Sequence, residues 1–170
     1  MNIVVLNRSD WLDERKVLLV DRRADHIRSV LRASVGDSIR VGELGGDLGQ
    51  GRICALDADA VVLEVELNQP PPPRHRFDIV LALPRPKVLR RLFRTVAEFG
   101  VANLHLINCA RVEKSYWQSP LLAPEKVHDA LLAGMERASD TVAPRVHQHR
   151  RFRPFVEDQL KYLCAGRPCW

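Results

Sequence analysis

No apolar run in this 170-residue chain approaches the length of a membrane-spanning helix. Its first ten residues, MNIVVLNRSD, contain neither a basic n-region nor a long apolar h-region. No secretory signal is read there, and the expected location is the cytoplasm. The four cysteines, Cys54, Cys109, Cys164 and Cys169, include no CxxC pair, and no histidine stands at a zinc spacing from them. The expectation is scattered reduced thiols and no metal. A G-x-G-x-x-G fingerprint after a strand, a Walker A loop, GxSxG and HExxH are all missing. The glycine-rich residues 42–51 lie between strand-like stretches and do not open a helix, so they read as a turn and not as a phosphate cradle. One further absence is local: residues 85–95 contain no acid.

That acid-free stretch belongs to residues 77–94, FDIVLALPRPKVLRRLFR. An apolar run over 79–83 ends at Pro84, and a helical pattern begins near Pro86. Val88, Leu89, Leu92, Phe93 and Val96 fall on one face. Lys87, Arg90, Arg91 and Arg94 recur at i, i+3, i+4 and i+7 and form a basic stripe on another. A strand, a tight turn and an amphipathic helix gather cations where the strand ends, and open α/β sheets bind ligands at that end.

The charge is divided unevenly along the chain. Residues 1–73 hold 9 Lys/Arg and 12 Asp/Glu, a balance of −3, whereas residues 74–170 hold 17 and 9, a balance of +8. Such asymmetry is the electrostatic footprint of a polyanion binder, most simply a nucleic-acid binder. A second cluster, Arg150, Arg151 and Arg153, points the same way. The plainer alternative is a solvated surface.

Residues 1–69 read as short strands around one helix: strands at 3–6, 17–20, 38–41, 52–56 and 61–67, and a helix at 24–32 with Asp21 as its N-cap. Short strands separated by Gly and Asp turns predict a small barrel. Four consecutive prolines, Pro70 to Pro73, mark a boundary linker over 70–75. From 76 to 170 the pattern becomes strand (77–83), helix (87–99), strand (104–107), polar loop (108–120), helix (125–137), strand (145–151) and short helix (154–163). That alternation predicts a parallel sheet with right-handed crossovers, so the fold class is α/β.

Three polar groups are candidates for chemistry. The loop CARVEKSYWQSP places Arg111, Lys114, Tyr116, Trp117 and Gln118 close together; cations hold phosphate and aromatics stack on bases. Aromatics packed on a neighbouring helix are an equally good account. The end of the second helix, Glu136 to Thr141, reads first as helix-ending polarity. His147 and His149 face one way on a strand, but no third metal ligand is evident.

Taken together, these segments resemble a known family. His26-Ile27-Arg28-Ser29-Val30-Leu31-Arg32 followed by Gly36-Asp37, then LALPRPKVLRRLFRTVAEFGVANLHLINCARVEKSYWQSP, then GMERASDTVAPRV, are similar in order and spacing to a bacterial methyltransferase family. That family acts on N3 of a uridine in 16S rRNA and belongs to the SPOUT, or knotted, class. The resemblance implies a PUA-like RNA-binding barrel over 1–69, a linker over 70–75 and the first portion of a SPOUT methyltransferase domain over 76–170. It also implies S-adenosylmethionine as the family's cofactor, 16S rRNA or the small ribosomal subunit as partner, and a homodimer. Arg85, Lys87, Arg90, Arg94, Arg111 and Lys114 are the implied RNA-binding residues; no catalytic residue is assigned. The family's G-P-E-G-G loop and later L-G-x-R-h-L-R-x-E-T segment do not occur here. No cofactor-binding residue is therefore expected in this chain, which reads as a fragment of a longer protein and, alone, as inactive. Asp140 and Arg137 stand where the family often has Arg and Gln. An RNA-binding module without catalysis is the alternative.

Overall fold

The computed structural model describes residues 1–166. Five strands, β1 (Val4–Leu6), β2 (Lys16–Leu19), β3 (Ser38–Glu43), β4 (Leu48–Leu56) and β5 (Val61–Gln69), form one sheet in the order β1-β3-β4-β5-β2. β1 pairs parallel to β3 and the other neighbours are antiparallel. The sheet curls into a half-barrel with β1 and β2 as its edges. Alternating residues of the strands, among them Leu6, Leu19, Val41, Ile53 and Leu63, meet Ala24 and Ile27 of helix α1 (Arg22–Ser29) in its core. Asp21 caps α1 as expected, accepting the Arg23 N–H at 2.9 Å. Arg23 is itself buried and bonded to both Asp10 and Asp21.

The glycine-rich stretch departs from its sequence reading. Gly42 lies in β3, and Gly49 and Gly51 lie in β4, so the turn proper is short. A Cβ at Gly49 would sit 1.8 Å from the Glu66 carbonyl oxygen, and one at Gly51 would sit 2.9 Å from Val41 Cγ1. These glycines permit close strand approach rather than flexibility.

After the prolines, β6 (Ile79–Ala82), helix α2 (Pro86–Glu98), β7 (Asn103–Ile107), helix α3 (Pro124–Ala138) and β8 (Arg145–His149) build a second sheet, parallel throughout, in the order β6-β7-β8. Pro86 opens α2, where a missing N–H costs nothing, and Gly100 follows its end at φ 60°. The final strand stops at His149. A helical run follows as Phe152–Pro154, Phe155–Leu160 and Lys161–Leu163, with π-helical geometry in the middle. The polar loop after β7 contains two 3-10 turns, Lys114–Gln118 and Pro120–Leu122.

α2 and α3 pack against each other and against β7 on one side of this sheet, as crossovers of one hand between parallel strands require. Leu89, Phe93 and Val96 pack there against Leu104 and Leu106 of β7 and Leu131 and Met135 of α3. Full burial of a side chain such as Phe93 contributes roughly 1.5–3 kcal/mol.

The half-barrel and the parallel sheet are joined by a dense seam. The Glu136 carbonyl accepts the N–H groups of Asn2 and Ile3, at 2.8 and 3.2 Å. The Glu136 carboxylate, 5% exposed, receives both nitrogens of the Arg22 fork, at 2.7 and 3.1 Å. The Thr141 hydroxyl donates to the Gly46 carbonyl at 2.6 Å, and Gly45 N–H donates to the Thr141 carbonyl at 2.8 Å. The linker is fastened too: Arg74 donates to the Val142 carbonyl at 3.0 Å and pairs with the buried Asp140. Cys54 and Cys109 carry free thiols. Cys164 is disulfide-bonded, against the reduced state expected of it, and Cys169 lies outside the described residues.

At Gly134 the two helices come into close contact. A Cβ there would lie 2.3 Å from the Arg94 carbonyl oxygen and 2.8 Å from Ala97 Cβ. Gly134→Ala gains about 1 kcal/mol of helix propensity but forces the helices apart. The expected net effect is a destabilisation of about 1–3 kcal/mol in chemical denaturation; a stabilised variant would show that α2 and α3 do not meet there.

Candidate nucleic-acid interface

Three carboxyl strand ends define the candidate site. Leu83 N–H donates to the Ile107 carbonyl at 2.9 Å, and Asn108 N–H donates to the His149 carbonyl at 3.0 Å. These bonds carry the pairing one residue past each strand and hold the three ends level. Arg85 follows β6 directly as the N-cap residue of α2, and Lys87 occupies the first helical turn. Arg111 and Lys114 lie in the loop that leaves β7. All four are exposed. The positive end of the α2 dipole adds to the positive potential at this edge.

Arg90 and Arg94 are exposed as expected, on the solvent side of α2 with Arg91. They are not brought to the edge. At 1.5 Å rise per residue, Arg94 lies about 10 Å down the helix from Lys87. The stripe is a path leading away from the strand ends, and only its first member touches them.

Among the described residues, none of Arg85, Lys87, Arg90, Arg94, Arg111 and Lys114 forms an ion pair. The cations that stabilise the fold are different ones: Arg22, Arg23 and Arg74 each meet a carboxylate. Exposed cations without an acid partner also occur on the half-barrel, including Arg32 and Arg40, but they are not gathered at strand ends.

The aromatics of the loop serve the protein interior. Trp117 is 8% exposed and packs in the core beneath α2 and α3, with Tyr116 against the same cluster. Trp117 Nε1 donates to Asn108 Oδ1 at 3.1 Å, and the Tyr116 hydroxyl donates to Glu113 at 2.9 Å. Of the two accounts of these rings, packing is the one observed. The polar end of α3 is likewise structural: Glu136, Asp140 and Thr141 are consumed by the seam and the linker.

Sequence reasoning missed a third histidine. His105 on β7 pairs in register with His147 on β8. Its ring stacks on His147 at 4.5 Å between centroids and on His149 at 5.3 Å, beneath Phe155. His105 Nδ1 and His149 Nε2 are 3.0 Å apart, and His147 Nε2 lies 3.2 Å from Asn103 Oδ1. Stacked rings do not converge on a point, and among the described residues no group of three or more His, Cys, Asp or Glu side chains is arranged to hold a metal ion. Burial first, then the nearby His147 and His149, depress His105 to about 4, against a smaller opposing effect of Asp78. Burial and His147 also lower His149. A cavity of about 230 Å³ lies elsewhere, on the half-barrel between β1, His26, Leu31 and β3.

A model of the RNA methyltransferase domain matches residues 70–165. The chain belongs to that family. It is 32% identical over 165 residues to ribosomal RNA small subunit methyltransferase E of Treponema pallidum (strain Nichols), covering 96% of this chain and 62% of that protein. The chain thus spans about three fifths of that relative's length. Two solved structures share its fold. A probable rRNA-methyltransferase from Porphyromonas gingivalis aligns with a TM-score of 0.68 at 19% identity, over 92% of this chain and 64% of that one. Ribosomal RNA small subunit methyltransferase E from Neisseria gonorrhoeae, bound to S-adenosyl methionine, aligns with a TM-score of 0.60 at 13% identity, over 87% and 62%. The matched region of this RNA methyltransferase-family chain contains the whole carboxyl edge, from Arg85 to Arg150. Among its described residues no helix is long and apolar enough to cross a membrane.

His105 gives a pH prediction with a definite sign. Its folded-state value, about 4, lies below the ordinary histidine value of 6.5, so between those limits the unfolded chain binds the proton and the folded chain does not. Stability from this residue is complete above pH 6.5 and is lost as pH falls toward 4, by on the order of 3 kcal/mol. Urea unfolding of the unaltered chain and of His105→Leu across this range measures it: the stability gap between them should change in that window, and parallel pH profiles would contradict the burial of a neutral ring.

Proposed function

We propose that this chain is the RNA-holding portion of an S-adenosylmethionine-dependent methyltransferase that modifies N3 of a uridine in 16S rRNA. One observation carries the reading: four cations, Arg85, Lys87, Arg111 and Lys114, with no ion pair among the described residues, stand at the carboxyl edge of a parallel sheet in a chain of the RNA methyltransferase family. The order of elements and the half-barrel ahead of them support a PUA-like unit over 1–69, joined by residues 70–75 to the first part of a SPOUT domain from 76 onward. The reading includes a homodimer, consistent with exposed Phe99, Phe152 and Tyr162, and a cytoplasmic location, where the small ribosomal subunit is assembled.

The cofactor, when bound in such enzymes, supplies a methyl group on a sulfonium. On this reading its cradle is not expected among residues 1–170, where the G-P-E-G-G loop and the L-G-x-R-h-L-R-x-E-T segment of the resembled family do not occur. The contribution proposed for this chain is positioning. Cations at the strand ends fix the RNA backbone, so that the uridine N3 lone pair is aligned for in-line transfer; such alignment supplies much of a barrier reduction in reactions of this kind. The group that removes the N3 proton is not assigned to any residue here. The alternative, RNA binding without catalysis, requires the same edge.

Binding to a small-subunit rRNA transcript is the test. Affinity should fall linearly with log salt, as counterion release requires. Replacing Lys87, Arg90 and Arg94 together with Ala should weaken binding and flatten that slope, by about two if three phosphate contacts are lost. A slope identical to that of the unaltered chain would reduce the stripe to a solvated helix face.

A further inference from the structure

At the carboxyl end of β8, Arg150 lies over the indole of Trp117, its guanidinium carbon 5.7 Å from the ring centroid. One guanidinium nitrogen also donates to the Trp117 carbonyl, at a long 3.4 Å. The indole beneath it is fixed from within by the bond from Nε1 to Asn108 Oδ1 at 3.1 Å. Asn108 is held in turn, through its N–H, by the carbonyl of His149, the residue preceding Arg150. The contacts close a ring: β8 holds Asn108, Asn108 holds Trp117, and Trp117 orients Arg150.

This arginine differs from the arginines that hold the fold together. Arg22, Arg23 and Arg74 are oriented by carboxylates that also neutralise them. Arg150 is oriented by an aromatic face and a carbonyl, it is exposed, and among the described residues no acid pairs with it. A guanidinium has five N–H donors in a planar fork, and here the protein takes one weak bond from them. Stacking on an indole holds the fork without quenching its charge, so less side-chain freedom is lost when an anion is bound. The residue stands at the same strand ends as Arg85 and the Arg111–Lys114 loop.

We propose that Arg150 binds a backbone phosphate of RNA at this edge, with Trp117 as the platform that aims it. This rests on the RNA reading above. It extends the phosphate path across the sheet, from β6 through the loop after β7 to β8, and it gives the buried Trp117 a role in recognition without requiring that ring to touch RNA. A phosphodiester is the ligand class because the planar fork matches two phosphate oxygens at once.

Fluorescence anisotropy with a labelled oligouridylate, over a series of salt concentrations, tests this with the 170-residue chain, Arg150→Ala and Arg150→Lys. The expected result for Arg150→Ala is several-fold weaker binding and a salt slope reduced by about 0.7, with an unchanged thermal midpoint. Arg150→Lys should keep the slope, since the charge remains, but bind more weakly than the arginine because the stacked fork is gone. An unchanged slope in Arg150→Ala overturns the proposal. So does a lowered thermal midpoint shared by both variants, which would make Arg150 a prop for Trp117. Failure of the unaltered chain to bind the RNA at all would instead contradict the RNA reading itself.

Discussion

Everything at the candidate edge depends on the packing of α2 against α3 on one face of the parallel sheet. Two crossovers of the same hand put both helices there, and the contact at Gly134 leaves no room for a side chain between them. Leu89, Phe93 and Met135 are then fully enclosed. Because each helix returns the chain to the start of the next strand, the loops that leave the strands all emerge at the opposite end. Arg85, Asn108, Arg111 and Arg150 are neighbours in space for that reason, although they are scattered over 66 residues of sequence.

Charge is sorted by the same architecture. Arg22 and Arg74 meet carboxylates at the seam and Arg23 meets two within the half-barrel; the Glu136 carboxylate reaches Arg22 of α1, and its carbonyl reaches the N–H groups of Asn2 and Ile3 just before β1. Losing one partner of such a pair leaves a buried charge, which is costly. The cations of the acid-free stretch 85–95 face solvent and are free to meet a polyanion. The seam holds the half-barrel in fixed relation to the edge.

Much of this was legible in the sequence. The strand-turn-helix at 77–94 and the burial of Leu89 and Phe93 follow from apolar spacing alone, and the exposure of Lys87, Arg90, Arg91 and Arg94 follows with them. The family resemblance implies that Arg85 and Lys87 bind RNA, and the structure places both just past the carboxyl end of β6. What escaped were facts set by long-range register. The partnership of His105 with His147 and His149 requires knowing that β7 and β8 are parallel neighbours in a particular alignment. Gly49 and Gly51 read as turn residues because nothing local reveals that Glu66 and Val41 will press against them. Trp117 and Tyr116 were undecided between stacking on RNA and packing inward, since composition carries no direction; the core beneath α2 and α3 claimed them. Arg90 and Arg94 were grouped with the edge by periodicity, and helix rise separates them from it.

The central claim is that RNA is held at the carboxyl ends of β6, β7 and β8. Photo-crosslinking of the chain to small-subunit rRNA, with the attached peptides identified by mass spectrometry, tests it most directly. The account predicts crosslinks in the segments that contain Arg85 to Lys87 and Arg111 to Lys114. Crosslinks confined to the half-barrel, with both segments unmodified, would contradict it.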